Sequence, residues 1–291
     1  MTEARKIWNT SGPGIKLILV NVLVYIVYLL FRSVFTLTGQ AGSLETFFGL
    51  LQLPGSLQSF IWQPWSLVTH MFVHTGFWHI AFNMLTLFFT LNLFNQYFSE
   101  NKIIRIYLYS GLAGAIVFMA SVNIFPFFSS MTEQIQALGA SAAVMGIIMA
   151  VCFFRPSDEV LLFGVFRIKL WVLALVFILA DIAQIGTGNN AAGHLAHLGG
   201  ALYGYLWAVN LKKGRDIAGW PHLTRLRTVK KTAKNISKRR ITVEEADESY
   251  NMSKRERQQK VDEILDKISR SGYDSLSKEE KRILFEISRE K

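Results

Sequence analysis

Cysteine is almost absent: Cys152 is the only one in 291 residues. No intramolecular disulfide can form, and no metal site can be built from thiolates. Charge is also scarce over most of the chain. Residues 1–211 hold 9 of the 31 Lys and Arg and 7 of the 21 Asp and Glu, and otherwise consist of long apolar runs. Residues 212–291 hold the other 22 bases and 14 acids. That division excludes a single uniform soluble domain. It describes an integral membrane portion, 1–211, followed by a polar tail, 212–291. The net charge of +10 therefore divides as +2 and +8, and the basic excess lies beside a membrane end. Anionic lipid is the nearer partner there, and no nucleic-acid partner is expected. A small-residue cleavage signature is missing too, so the first apolar run, Ile15 to Phe31, reads as a retained span rather than a signal peptide.

Six apolar runs predict transmembrane helices at about 15–35, 77–98, 103–124, 141–154, 168–185 and 192–210. Positive charge alternates between their connections. Arg5, Lys6, Lys16, Lys102, Arg105, Arg155, Arg167, Lys169, Lys212, Lys213 and Arg215 fall on one side, and Arg32 alone falls on the other. Glu45, Glu133 and Asp181 are assigned to the outer loops. The positive-inside rule then places both termini in the cytoplasm, in what is expected to be the cytoplasmic membrane. The long apolar first loop, 36–76, should lie at the interface as short amphipathic helices, because a lipid-immersed irregular loop is forbidden. Residues 212–240 form a basic stretch, and 253–291 read as a helical hairpin, with a break at Gly272 and a capping box from Ser277 to Glu280. The fold class is thus an all-α membrane protein, a six-transmembrane-helix bundle with a cytoplasmic helical tail.

Two polar residues inside this apolar framework fall at one depth. Ser141 lies 14 residues before Arg155, and His197 lies 15 before Lys212. Both therefore sit roughly 21–22 Å above that face of a hydrocarbon layer about 30 Å thick. A hydroxyl and an imidazole are costly there unless they face a wet cavity, and they mark a functional site by default. A lone membrane serine usually bonds back to a carbonyl one turn earlier. The matched histidine, and a helix from Ser141 to Phe154 too short to cross, favour a nucleophile and its base. As the first residue of a helix, Ser141 offers an unpaired backbone N–H to an oxyanion, and His79 and Asn83, one turn apart, are further candidate donors. Gly200 and Gly204 on one helix, with Ala142, Ala143 and Gly146 on the other, are the small residues needed for close approach. His70, His74 and His79 have spacing that zinc could use. No carboxylate or cysteine lies near them, however, and neither metal nor cofactor is expected.

Three stretches carry a resemblance: HMFVHTGFWHIAFN over 70–83, GASA over 139–142 and HLGGALYG over 197–204. Together, in this order and on these helices, they resemble the signatures of the rhomboid family of intramembrane serine proteases, across about residues 15–210. The resemblance implies a six-helix bundle and a serine endopeptidase using a Ser141–His197 dyad without a third acid. It implies an oxyanion site from His79, Asn83 and the Ser141 amide, and substrates that are transmembrane helices of other proteins, cut near the outer face. His70 and His74 would be structural or water-managing residues near the cavity, beside Gly139, Gly200 and Gly204. Ser66 stands where the family usually has arginine, and Ala142 where glycine is common. The alternative is a catalytically silent protein of the same fold that binds or sorts membrane proteins.

Overall fold

The computed structural model describes residues 8–162 and 165–219, together with 264, 266–268, 276 and 277. The chain divides into two units, Met1–Ile236 and Ser237–Lys291. In the second unit, 264 and 266–268 are helical. Most of the expected hairpin, including Gly272 and Glu280, lies outside the described residues, as does the basic stretch beyond 219.

The first unit is mostly helical. Its long helices are α1 (Pro13–Leu37), α5 (Phe77–Tyr97), α6 (Ile103–Ile124), α7 (Ser141–Phe154), α8 (Leu170–Thr187) and α9 (Ala191–Lys212). Short helices α2 (Ala41–Gly49), α3 (Leu57–Trp62) and α4 (Ser66–Thr69) build the loop between α1 and α5. Proline opens α1, where its fixed φ suits the first turn and its missing N–H costs nothing. Among the described residues, four helices are long and apolar enough to cross a membrane: α1, α5, the stretch Glu100–Ile124 containing α6, and α8. Helix α8 begins at Leu170, two residues later than the apolar run, because Arg167 and Lys169 belong to a hairpin. Strand β3 (Glu159–Leu162) pairs antiparallel with β4 (Phe166–Lys169).

Helix α7 is the axis of the bundle. At about 1.5 Å per residue its 14 residues rise only about 21 Å. All but Ser141 and Phe153 are buried. Helices α6 and α9 pack closely on it, with α5 and α8 alongside. The outer helices turn apolar faces outward, through Leu23, Ile26, Leu30 and Val34 on α1 and Leu175, Val176, Leu179 and Ile182 on α8. Such faces are stable against lipid, not water. Between α7 and α9 the backbones nearly touch. A methyl group on Gly200 would overlap the Ala142 carbonyl, and one on Gly204 would overlap that of Gly146. Cys152 is a buried core residue of α7.

Two short strand pairs accompany the helices of this mostly helical unit. One is the β3–β4 hairpin. The other joins β1 (Leu53–Pro54) to β2 (Gln136–Ala137), with Leu53 opposite Ala137 and Pro54 opposite Gln136. Leu53 and Pro54 are buried, and non-helical backbone tucked among helices must still pair its polar groups, whereas strand β4 is mostly exposed. The same need recruits side chains: Asn123 Nδ2 donates to the Gly55 carbonyl (2.7 Å), and Trp65 Nε1 donates to that of Leu50 (2.7 Å).

The segment just before Ser141 is held in the same way. The Gly139 N–H donates to the His70 carbonyl (2.8 Å), and the Ala140 N–H donates to His74 Nε2 (3.3 Å). His70 Nδ1–H donates to the carbonyl of buried Ser66 (2.8 Å), and the Tyr107 hydroxyl donates to the Met71 carbonyl (2.9 Å). Gly139 has φ +108°, a region open to glycine, and the His79 ring fills the space a Cβ would need. His70 and His74 thus peg the approach to α7. Burial pushes both imidazoles down to about 4.

Two outcomes follow. In the unfolded chain these histidines titrate near 6.5, so between about pH 6.5 and 4 the unfolded state binds more protons than the folded state. Stability is then greatest above pH 6.5 and falls on acidification to about 4, by on the order of 3 kcal/mol per histidine. Thermal midpoints measured in detergent across that window should drop, and a midpoint level from pH 7 to pH 4 contradicts the account. Gly204→Ala should cost about 1–3 kcal/mol in the same assay, whereas Gly186→Ala, with open space at the Cβ position, should not destabilise.

Candidate active site

Ser141 is the first residue of α7, so its backbone N–H lacks an intrahelical partner and the helix dipole is positive there. Its Oγ lies 2.7 Å from His197 Nε2 on α9. The two residues counted to equal depth therefore meet, and the glycine contacts between α7 and α9 are what bring them within reach. A hydroxyl acquires nucleophilic character when a base accepts its proton at this distance.

The other ring nitrogen also has a partner. His197 Nδ1 is 2.8 Å from Asp181 Oδ1, and His194 Nδ1 is 2.7 Å from the same oxygen. Two earlier expectations need correction here. Asp181 is not an outer-loop residue: it sits in α8, 5 % exposed, nearly two turns before the helix end at Thr187. Nor does His197 stand without a carboxylate, as the family resemblance implied. A carboxylate can only accept, so the His197 proton resides on Nδ1 and Nε2 faces Ser141 as an acceptor. Sequence reasoning missed this residue. The signal that could have found it was a lone acid within an apolar span, a costly placement that usually has a named partner.

Ser141 and His197 open into a cavity of about 570 Å³, whose wall includes His79, Asn83, Gly139 and Ala142. A smaller hollow of about 260 Å³ lies between α5 and α8, bordered by Phe82, Thr86, Phe177 and Asp181, and reaches the same two residues. The candidate oxyanion donors differ in their present contacts. His79 lies on the cavity wall with its ring edge-on to His74, centroids 5.0 Å apart. Asn83 Nδ2 gives one of its two N–H groups to the His79 carbonyl one turn back (2.8 Å), which leaves the other for an oxyanion.

Of the histidines considered for zinc, His70 gives Nδ1–H to the Ser66 carbonyl and His74 Nε2 accepts from the Ala140 N–H. Among the described residues the side chains that converge as metal ligands would are Asp181, His194 and His197, with ligand atoms within 4.8 Å of one another. A cation there would have to displace both Nδ1 protons and break the hydrogen bonds that orient His197.

Comparison with known proteins agrees with this architecture. Residues 61–213 match the model of the rhomboid domain, and residues 244–290 match a family of unknown function, DUF6576. RHOMBOID-like protein 12, mitochondrial, of Arabidopsis thaliana is 26% identical over 209 residues, 68% of this chain and 58% of that protein. Rhomboid protein 1, mitochondrial, of Saccharomyces cerevisiae is 25% identical over 178 residues, 57% and 50% respectively. The rhomboid protease AarA of Providencia stuartii is 27% identical over 222 residues, 72% of this chain and 75% of that protein. The aligned part thus spans 58% and 50% of the length of the Arabidopsis and yeast relatives. With the rhomboid domain covering more than half of its 291 residues, the chain belongs to the rhomboid family.

Proposed function

We propose that this protein is an intramembrane serine endopeptidase that cleaves transmembrane helices of other membrane proteins near the outer face. The observation that carries the reading is the 2.7 Å contact of Ser141 Oγ with His197 Nε2 at the wall of the cavity. Ser141 Oγ attacks the peptide carbonyl carbon while its proton passes to His197 Nε2. The resulting oxyanion is held by the Ser141 N–H, His79 and the second amide N–H of Asn83. His197 then gives the proton to the leaving amine, and a water molecule, deprotonated by the same ring, hydrolyses the acyl-enzyme.

The substrate class follows from the setting. Ser141 lines the cavity together with His79, Asn83 and Gly139, so a helix must unwind locally to present a carbonyl there, and a small residue at the scissile bond approaches most easily. Both the apolar faces of the outer helices and the six apolar runs support a six-span bundle in which α7 and α9 also traverse the layer. The bias of Lys and Arg supports both termini in the cytoplasm and a location in the cytoplasmic membrane. Residues 1–211 form the catalytic domain in this reading, and 212–291 a basic cytoplasmic tail ending in a helical hairpin, able to meet anionic lipid.

In proteoliposomes containing a single-span substrate, Ser141→Ala and His197→Ala should each lower turnover by at least about 10³-fold with substrate co-purification unchanged. Wild-type turnover in both variants contradicts the assignment. A wild-type protein that co-purifies with the helix and yields no product belongs instead to the silent, binding class.

A further inference from the structure

Asp181 has no part in a serine–histidine dyad, yet its placement is costly. Helix α8 is an apolar span with only three buried residues, Leu170, Ala174 and Asp181. An ionised carboxylate in such a helix needs hydrogen-bond donors. It finds them in the Nδ1 atoms of His197 (2.8 Å) and His194 (2.7 Å), one turn apart on α9 and therefore on one face. Both donors use Oδ1, while Oδ2 is buried with no hydrogen-bond partner. The arrangement runs in one line through three helices: Ser141 on α7, His197 on α9, Asp181 on α8.

We infer that Asp181 is a positioning residue for the proposed hydrolysis, converting the Ser141–His197 pair into a serine–histidine–aspartate triad with His194 as a second donor that fixes the carboxylate. This rests on the Ser141–His197 reading above. Asp181 touches neither substrate nor the reacting atoms. By accepting the Nδ1 proton it sets the tautomer in which Nε2 carries the free lone pair. When the Ser141 O–H bond breaks and the Nε2–H bond forms, the ring becomes an imidazolium facing a carboxylate that stays ionised. On collapse of the tetrahedral intermediate, the Nε2–H proton leaves with the amine nitrogen as the C–N bond breaks, and the ring returns to its Nδ1–H form. His194 adds a second N–H to Oδ1, so the carboxylate is held even while His197 changes charge.

A tie between α8 and α9 would be the alternative role, and it separates cleanly in the readouts. In proteoliposomes, Asp181→Asn should lower kcat by about 10²- to 10⁴-fold at unchanged KM, as expected when a carboxylate that sets a catalytic tautomer is made an amide. Its thermal midpoint should stay within a few degrees of wild type. A merely structural tie would instead lower the midpoint and leave kcat per folded molecule at the wild-type value, which overturns the inference. Should Asp181→Asn fail to fold, ¹⁵N NMR of the wild-type protein labelled at histidine decides. A protonated Nδ1 and unprotonated Nε2 at His197 near pH 7.5 uphold the inference, and the opposite tautomer overturns it. Ser141→Ala keeps the two claims apart. If it is inactive while Asp181→Asn turns over like wild type, the triad fails alone; if Ser141→Ala is itself active, the underlying reading fails.

Discussion

At Gly200 and Gly204 the backbone of α9 lies against the carbonyls of Ala142 and Gly146, closer than any side chain would allow. Lipid offers no hydrophobic drive for two helices to associate, so contact this close depends on small residues and dispersion between backbones. Residue 197 lies one turn before Gly200, and residue 141 immediately precedes Ala142. The geometry of the pair is therefore inherited from the glycine contact rather than set by the polar groups themselves. Helix α7 can afford no lipid-facing side because it is short and central, and its burial by α5, α6, α8 and α9 keeps its first residue from drifting.

The second constraint is the satisfaction of irregular backbone. The chain between α6 and α7 is largely irregular, and wherever it is buried an unpaired N–H or C=O would be costly. The β1–β2 pair, the His70 carbonyl, His74 Nε2 and Asn123 answer that need. These contacts do more than stabilise. They fix Gly139 at its positive φ against the His79 ring, and so set the direction from which α7 begins. His70 and His74 each commit one ring nitrogen to backbone, and their burial as neutral rings makes the loop sensitive to acid.

Much of this was legible in the sequence, for identifiable reasons. Apolar runs marked the helices to within a few residues, since hydrocarbon demands length and composition more than periodicity. Counting rise from flanking basic residues put Ser141 and His197 at one level, and they do meet. What escaped depends on relations that no single segment encodes. Asp181 reaches His197 only through the rotation of α8 against α9, which nothing in LWVLALVFILADIAQIGT specifies. The β1–β2 pair is two residues long and carries no period-2 pattern, and the β3–β4 hairpin was masked by the charges that seemed merely to flank a helix. Asn83 was chosen as an oxyanion donor by its helix face, which is right for the cavity wall but silent about its existing bond to the His79 carbonyl.

The pairing of Ser141 with His197 is the claim on which the functional account stands, and covalent modification reads it without knowledge of a natural substrate. Folded protein treated with a fluorophosphonate and mapped by mass spectrometry should carry one adduct, on Ser141, formed at least about 10²-fold more slowly in His197→Ala. Adduct formation at Ser141 that is indifferent to His197, or its absence from folded wild-type protein, would contradict the account.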